Sequence, residues 1–288
     1  MRSALTGSAA VAATLATMLM TPVAADAAPQ DYVEYVALGD SFPAGPLVPA
    51  QNGDSASCLQ SVDNGYPARL AATLGIRNFR NVTCSGAKAQ DFDKAGPGWG
   101  RGATPQYDAL SASTDLVTLT IGANDAGLFQ DLIGCLNPLP QNTTRACVDR
   151  FTGDGGDQLA DKVDAAAATI GATLDEIARR APRARIMITS YGEYLRPGGC
   201  PDLATPITAR DADYLQTTID RLGDRIAEQA AAHGATFVDL RPASIGHDAC
   251  AAPQDRWIEP LLPSAPAAPF HPNARGGQAF AKLIAEAL

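Results

Sequence analysis

Five short runs rich in apolar and β-branched residues recur along the chain: VEYVAL (33–38), NFRNV (78–82), DLVTLTI (115–121), ARIMITS (184–190) and ATFVDL (235–240). Runs of this length, bounded by turn residues, suit buried strands. Between them lie segments with helical periodicity, YPARLAATL (66–74), QLADKVDAAAATIGATLDEIARRA (158–181) and TARDADYLQTTIDRLGDRIAEQAAAH (208–233). Gly234 closes the last of these, and a further helix is expected near 275–287. Strand and helix in alternation predict an α/β fold of three layers, with a central parallel sheet of about five strands covered by helices on both faces.

In an open sheet of this kind, ligands bind beyond the carboxyl ends of the strands. The loops that follow strands are therefore where functional side chains are expected. Gly39-Asp40-Ser41-Phe42 follows the first run, Thr83-Cys84-Ser85-Gly86-Ala87 the second, and Gly122-Ala123-Asn124-Asp125-Ala126-Gly127 the third. Phe270-His271-Pro272-Asn273 stands just before the closing helix. Taken singly each is a weak signal, because Gly, Asp, Asn and Ser favour turns and caps for local reasons.

Together, in this order and at these positions, the four blocks resemble those of the SGNH (GDSL) hydrolase family, and in particular its secreted actinobacterial lipases and esterases. The resemblance runs from Val36 to Gln278. It implies a flavodoxin-like SGNH-hydrolase fold, a carboxylic ester hydrolase, Ser41 as nucleophile and His271 as the base that shuttles its proton. It also implies an oxyanion hole built from the backbone N–H groups of Ser41 and Gly86 and the side-chain amide of Asn124, with no cofactor and no metal.

The chemistry fits those residue types. A serine hydroxyl is a weak nucleophile at neutral pH, so acyl transfer needs an adjacent base that takes its proton and later returns it to the leaving group. The tetrahedral intermediate carries a negative oxygen that fixed donors must stabilise. The G-x-S-x-G elbow of the α/β-hydrolases is absent here, since Ser41 follows the first strand and position 43 is proline.

Of the three histidines, His233 stands at a predicted helix end, where imidazole suits the dipole. His247 lies in a loop beside Cys250, and His271 matches the fourth block. One departure from the family pattern stands out. Many members carry an aspartate three residues before the catalytic histidine, and that position is Ala268 here. A backbone carbonyl, that of Ala268 or of Pro269, is expected to accept the Nδ1 proton instead, with Asp255 and Glu259 as remote acids that could fold back. Trp99 and Trp257 fall in irregular stretches, where packing and a substrate-facing role are equal candidates.

The amino-terminal segment MRSALTGSAAVAATLATMLM, followed by the small-x-small pattern Ala25-Asp26-Ala27, reads as a secretory signal peptide over 1–27, leaving a hydrolase domain over 28–288. Its apolar core is shorter than the roughly 20 residues of a membrane-spanning helix. A secreted, extracellular, monomeric protein with no transmembrane anchor is expected. The formal charge of −9 is spread along the chain, which argues against nucleic acid as a partner. In an exported chain the six cysteines suit disulfides. Spacing does not determine their connectivity. The simplest scheme is sequential: Cys58 with Cys84, Cys135 with Cys147, Cys200 with Cys250.

The substrate is thus expected to be an ester, of a lipid or of a small acyl group. Two other readings remain open at this point: a carbohydrate O-deacetylase with the same machinery, and a catalytically weak binding protein that kept the fold without the triad acid.

Overall fold

The computed structural model describes Met1 and residues 31–54, 56–95, 104–137, 146–153, 155–200 and 206–288. The expected leader, Met1 apart, and Trp99 lie outside the described residues. The chain divides at Asp31, and the unit considered below is Tyr32–Leu288.

Five strands, β1 (Glu34–Gly39), β2 (Asn78–Asn81), β3 (Leu116–Thr120), β4 (Arg185–Thr189) and β5 (Thr236–Val238), form one parallel sheet in the order β2-β1-β3-β4-β5. Each lies within two residues of its apolar run. β1 and β3 are buried along their whole length, as continuous rather than alternating apolar strands should be when both faces are covered.

The helices are α1 (Ser41–Ala44), α2 (Tyr66–Leu74), α3 (Leu128–Gly134), α4 (Cys147–Thr152), α5 (Gln158–Arg180), α6 (Ala209–Ala232), α7 (Arg241–Ser244) and α8 (Ala274–Glu286). α5 buries Leu159, Val163, Ala166, Ile170, Leu174 and Ile177, spaced by three and four residues along one face. Asp157 starts it by accepting the N–H groups of Leu159 and Ala160, a cap worth about 1 kcal/mol.

The connection from β1 to β2 steps one way along the sheet, and those from β3 to β4 and β5 step the other. Right-handed crossovers therefore place α2 and the α5–α6 pair on opposite faces. α8 packs against α2, completing one layer, and α5 packs against α6 in the other. The direction of winding reverses at β1, so a crevice opens at the carboxyl ends of β1 and β3.

Gly39 ends β1 at φ 134°, and a Cβ there would come within 2.4 Å of the Thr120 carbonyl oxygen, so only glycine lets β1 close against the end of β3. The Gln106 side chain pairs with both the N–H and the carbonyl of Gly39, at 2.8 and 2.9 Å. The last backbone unit before the Asp40-Ser41 turn is thus held from three sides.

The three disulfides are the sequential ones, Cys58–Cys84, Cys135–Cys147 and Cys200–Cys250. Among the described residues no helix is long and apolar enough to cross a membrane.

Candidate active site

Beyond the end of β1, Asp40 is extended and its carboxylate accepts the Phe42 N–H at 2.9 Å, which starts the single turn of α1. Gly45 ends that turn in the left-handed region. Ser41 is thereby the first residue of a short turn at the rim of the crevice.

His271 comes from the loop before α8. Its Nε2 lies 2.7 Å from Ser41 Oγ and its Nδ1 lies 2.7 Å from the Pro269 carbonyl oxygen. A carbonyl only accepts, so Nδ1 carries the proton and Nε2 is free to accept from the serine hydroxyl. Burial pushes the His271 pKa below the usual histidine value, and the bond to Pro269 works in the opposite direction.

Of the two carbonyls expected, the acceptor is thus that of Pro269, and Ala268 does not fill this role. The Ala268 carbonyl takes the His271 backbone N–H instead, at 3.1 Å. That bond closes a four-residue turn with proline second and Phe270 third at φ 58°, the pattern of a type II turn. With Ala268 committed to the turn, the next carbonyl is the one left for the ring.

Neither remote acid orients the imidazole. The Asp255 carbonyl oxygen, not its carboxylate, meets Nδ1 of His247. Glu259 is fully buried, and its carboxylate accepts from the Asn273 amide and from the backbone N–H groups of Ser264 and Ala265. Its own backbone pairs with His271 and Phe270 at 3.0 and 2.9 Å, so Glu259 clamps the loop that carries His271.

The remaining two histidines stand elsewhere. His233 pairs with Asp175 on the surface, and His247 stacks on Trp257 with centroids 4.0 Å apart. Trp257 also meets Phe280 edge-on, which makes it a packing residue.

The loop after β2 returns to the same place. Cys84 N–H bonds to the Gly39 carbonyl at 3.0 Å, and Ser85 N–H bonds to the carbonyl of Cys58, the disulfide partner of Cys84. Gly86 follows at φ 81°, in the left-handed region that favours glycine. The Asn124 amide, after β3, donates to the Ala87 carbonyl at 3.0 Å, which fixes the orientation of the side chain. Among the described residues, the backbone N–H groups of Ser41 and Gly86 have no acceptor.

Asp40 and Tyr191 add a link that was not foreseen. The Tyr191 hydroxyl donates to the Asp40 carboxylate and accepts the Ala123 N–H at 3.1 Å. One hydroxyl thus joins the turn bearing Ser41 to the loop bearing Asn124. Burial raises the Asp40 pKa to about 7, against the lowering effect of its bonds from Tyr191 and Phe42. Tyr191 stands two residues past the end of β4, in a loop after a strand where functional side chains are expected.

Ser41, Asn124 and His271 line a cleft whose space, counted with its open mouth, is about 620 Å³. The rest of its lining is mostly apolar: Leu128, Phe129 and Leu132 of α3, Leu215, Ile219 and Leu222 of α6, and Phe270. These residues carry no sequence motif. They come together only because α3 and α6 border the same cleft.

The family model of the GDSL-like Lipase/Acylhydrolase family matches residues 37–279. The chain is 37% identical over 297 residues to Lipase 2 of Streptomyces coelicolor, covering 100% of this chain and 97% of that protein. The crystal structure of the extracellular lipase from Streptomyces rimosus is similar at a TM-score of 0.74 and 26% identity, over 89% of this chain and 100% of that one. That of phospholipase A1 from Streptomyces albidoflavus is similar at a TM-score of 0.70 and 27% identity, over 88% and 98%.

Proposed function

Because the chain belongs to the GDSL-like Lipase/Acylhydrolase family, we propose that it is a secreted serine hydrolase that cleaves carboxylic esters of fatty acyl chains through a Ser41 acyl-enzyme. The observation that carries this reading is the 2.7 Å contact between Ser41 Oγ and His271 Nε2 at an apolar cleft.

In the first half-reaction, Ser41 Oγ attacks the ester carbonyl carbon while His271 Nε2 takes the hydroxyl proton. The carbonyl oxygen becomes an oxyanion, received by the N–H groups of Ser41 and Gly86 and the amide of Asn124. Collapse expels the alcohol, which leaves with the proton held on Nε2. In the second half-reaction, water gives a proton to Nε2 as it attacks the acyl-serine, and collapse releases the acid while Nε2 returns that proton to Ser41 Oγ. The Pro269 carbonyl keeps the productive tautomer throughout, although it stabilises the imidazolium less than a carboxylate would.

The cleft lining bears on the substrate. Removal of an acetyl group from a carbohydrate needs a small acyl pocket and polar sugar contacts, whereas the seven apolar side chains from α3, α6 and Phe270 suit a longer hydrocarbon. The Ser41–His271 contact argues against a binding protein without catalysis. Three disulfides support export to an oxidising compartment, as does the likeness to an extracellular lipase.

Hydrolysis of p-nitrophenyl esters from acetate to palmitate, by the protein and by Ser41→Ala, tests the reading. Turnover by the first alone, strongest on medium or long chains, is expected. Acetate as the preferred substrate would shift the reading to deacetylation, and turnover by both proteins would remove Ser41 from the mechanism.

A further inference from the structure

We propose that the Cys135–Cys147 disulfide determines which acyl chains the cleft accepts, by tying its α3 side to its α6 side. The inference rests on the ester-hydrolase reading above and concerns chain length within it.

α3 has seven residues and starts at Gly127 with no side-chain cap, so it is too short to hold its own shape and depends on what it is fastened to. Leu128 and Leu132, one turn apart, are buried and line the cleft, whereas Ile133 on the outer face is 39% exposed. Cys135 is the residue at which α3 ends, and its partner Cys147 is the first residue of α4.

α4 is in turn pinned to the start of α6. The Val148 N–H donates to the Asp211 carboxylate at 2.9 Å, and Asp211 is buried, with its other oxygen bonded to Thr208. Leu215, which lines the cleft, stands one helical turn after Asp211. A short path of one disulfide and one buried hydrogen bond therefore runs from the α3 lining to the α6 lining. Among the described residues, the other polar ties on α3 and its exit are weaker: an ion pair between Asp131 and Lys162 at 2.7 Å, with the lysine 43% exposed, the Arg150 guanidinium on the Gly134 carbonyl at 3.5 Å, and the Asn137 N–H on the Pro206 carbonyl.

A short acyl group needs only the space beside Ser41 and His271. A long one needs α3 and α6 at a fixed spacing along its length, because each methylene contributes to binding only while both sides touch it. Freeing α3 should therefore weaken long-chain turnover selectively.

The test is kcat/KM on p-nitrophenyl butyrate and decanoate for Cys135→Ser/Cys147→Ser, with far-UV circular dichroism and the labelling rate of Ser41 by a small phosphonate. The expected result is a decanoate-to-butyrate ratio lowered roughly tenfold, with butyrate turnover and labelling within about twofold of the parent. Asp211→Ala, which keeps the disulfide and removes the α4–α6 step of the same path, should lower the ratio by about threefold. It decides the matter if the double variant does not fold. An unchanged ratio in the folded double variant, or in Asp211→Ala where that alone is folded, overturns the proposal, as does a parallel fall on both esters. In each of those cases the parent still turns over esters and the functional reading stands. A folded parent that turns over neither ester overturns both.

Discussion

Nδ1 of His271 is held by the carbonyl oxygen of Pro269, two residues earlier and 2.7 Å away. A neutral backbone acceptor therefore stands where a triad carboxylate would be. Its consequence is a base that is harder to protonate, since burial already holds His271 below the usual histidine pKa and no anion restores it. His271 must be neutral to accept from Ser41, so the acid limb of kcat/KM should have its midpoint below 6.5, the unperturbed value. Ala268→Asp would place a carboxylate beside the ring, favour the imidazolium and move that midpoint upward. A pH–rate profile of both proteins on one short ester checks the sign of the difference.

The Tyr191 hydroxyl bonds to both the turn that carries Ser41 and the loop that carries Asn124. Tyr191→Phe removes a donor from the buried Asp40 carboxylate and an acceptor from the Ala123 N–H. Stability should fall by about 1–3 kcal/mol, read as a lower urea midpoint. Loss of the donor raises the Asp40 pKa further, and under the proposed mechanism, in which Ser41 and Asn124 on these two loops act on the transition state, kcat should fall roughly tenfold with KM little changed. A change confined to KM would place Tyr191 in substrate binding instead.

Asn124 is oriented by its bond to the Ala87 carbonyl before any substrate arrives. Asn124→Ala should therefore cost about 10²–10³ in kcat, the usual effect of removing one oxyanion donor, with little change in the urea midpoint. Steady-state kinetics beside a denaturation curve separates this from a structural defect.

The Cys58–Cys84 disulfide fastens the loop that leads to Gly86, two residues before that glycine. Its removal in Cys58→Ser/Cys84→Ser should lower kcat by a similar factor on acetate and on decanoate. In a reductant titration of the parent, activity should drop before far-UV circular dichroism changes. Coincident loss of both signals would mean that the bond serves the sheet as a whole.

Much of the frame could be read from the sequence, for reasons that particular elements make plain. β1 and β3 are continuous apolar runs because both sheet faces are covered, and α2 spans Tyr66–Leu74 where its periodicity puts it. The short helices α1, α3, α4 and α7 went unforeseen, since seven residues or fewer give too little period to detect. The four blocks point to Ser41, Gly86, Asn124 and His271 because their residue types are tied to one chemistry. The cleft lining was not legible: Leu128, Leu215 and Phe270 are ordinary core residues until the fold brings them to one place. The choice of Pro269 over Ala268 depends on the left-handed Phe270, a conformation that a phenylalanine does not advertise.

A Ser41 nucleophile activated by His271 should be trapped by an alkyl fluorophosphonate, and intact-mass and peptide mass spectrometry of the folded protein after exposure reads the adduct. A single adduct is expected, carried by the peptide that contains Ser41, absent in Ser41→Ala and strongly slowed in His271→Ala. No adduct on the folded parent, or an adduct on another residue that persists in Ser41→Ala, would contradict it.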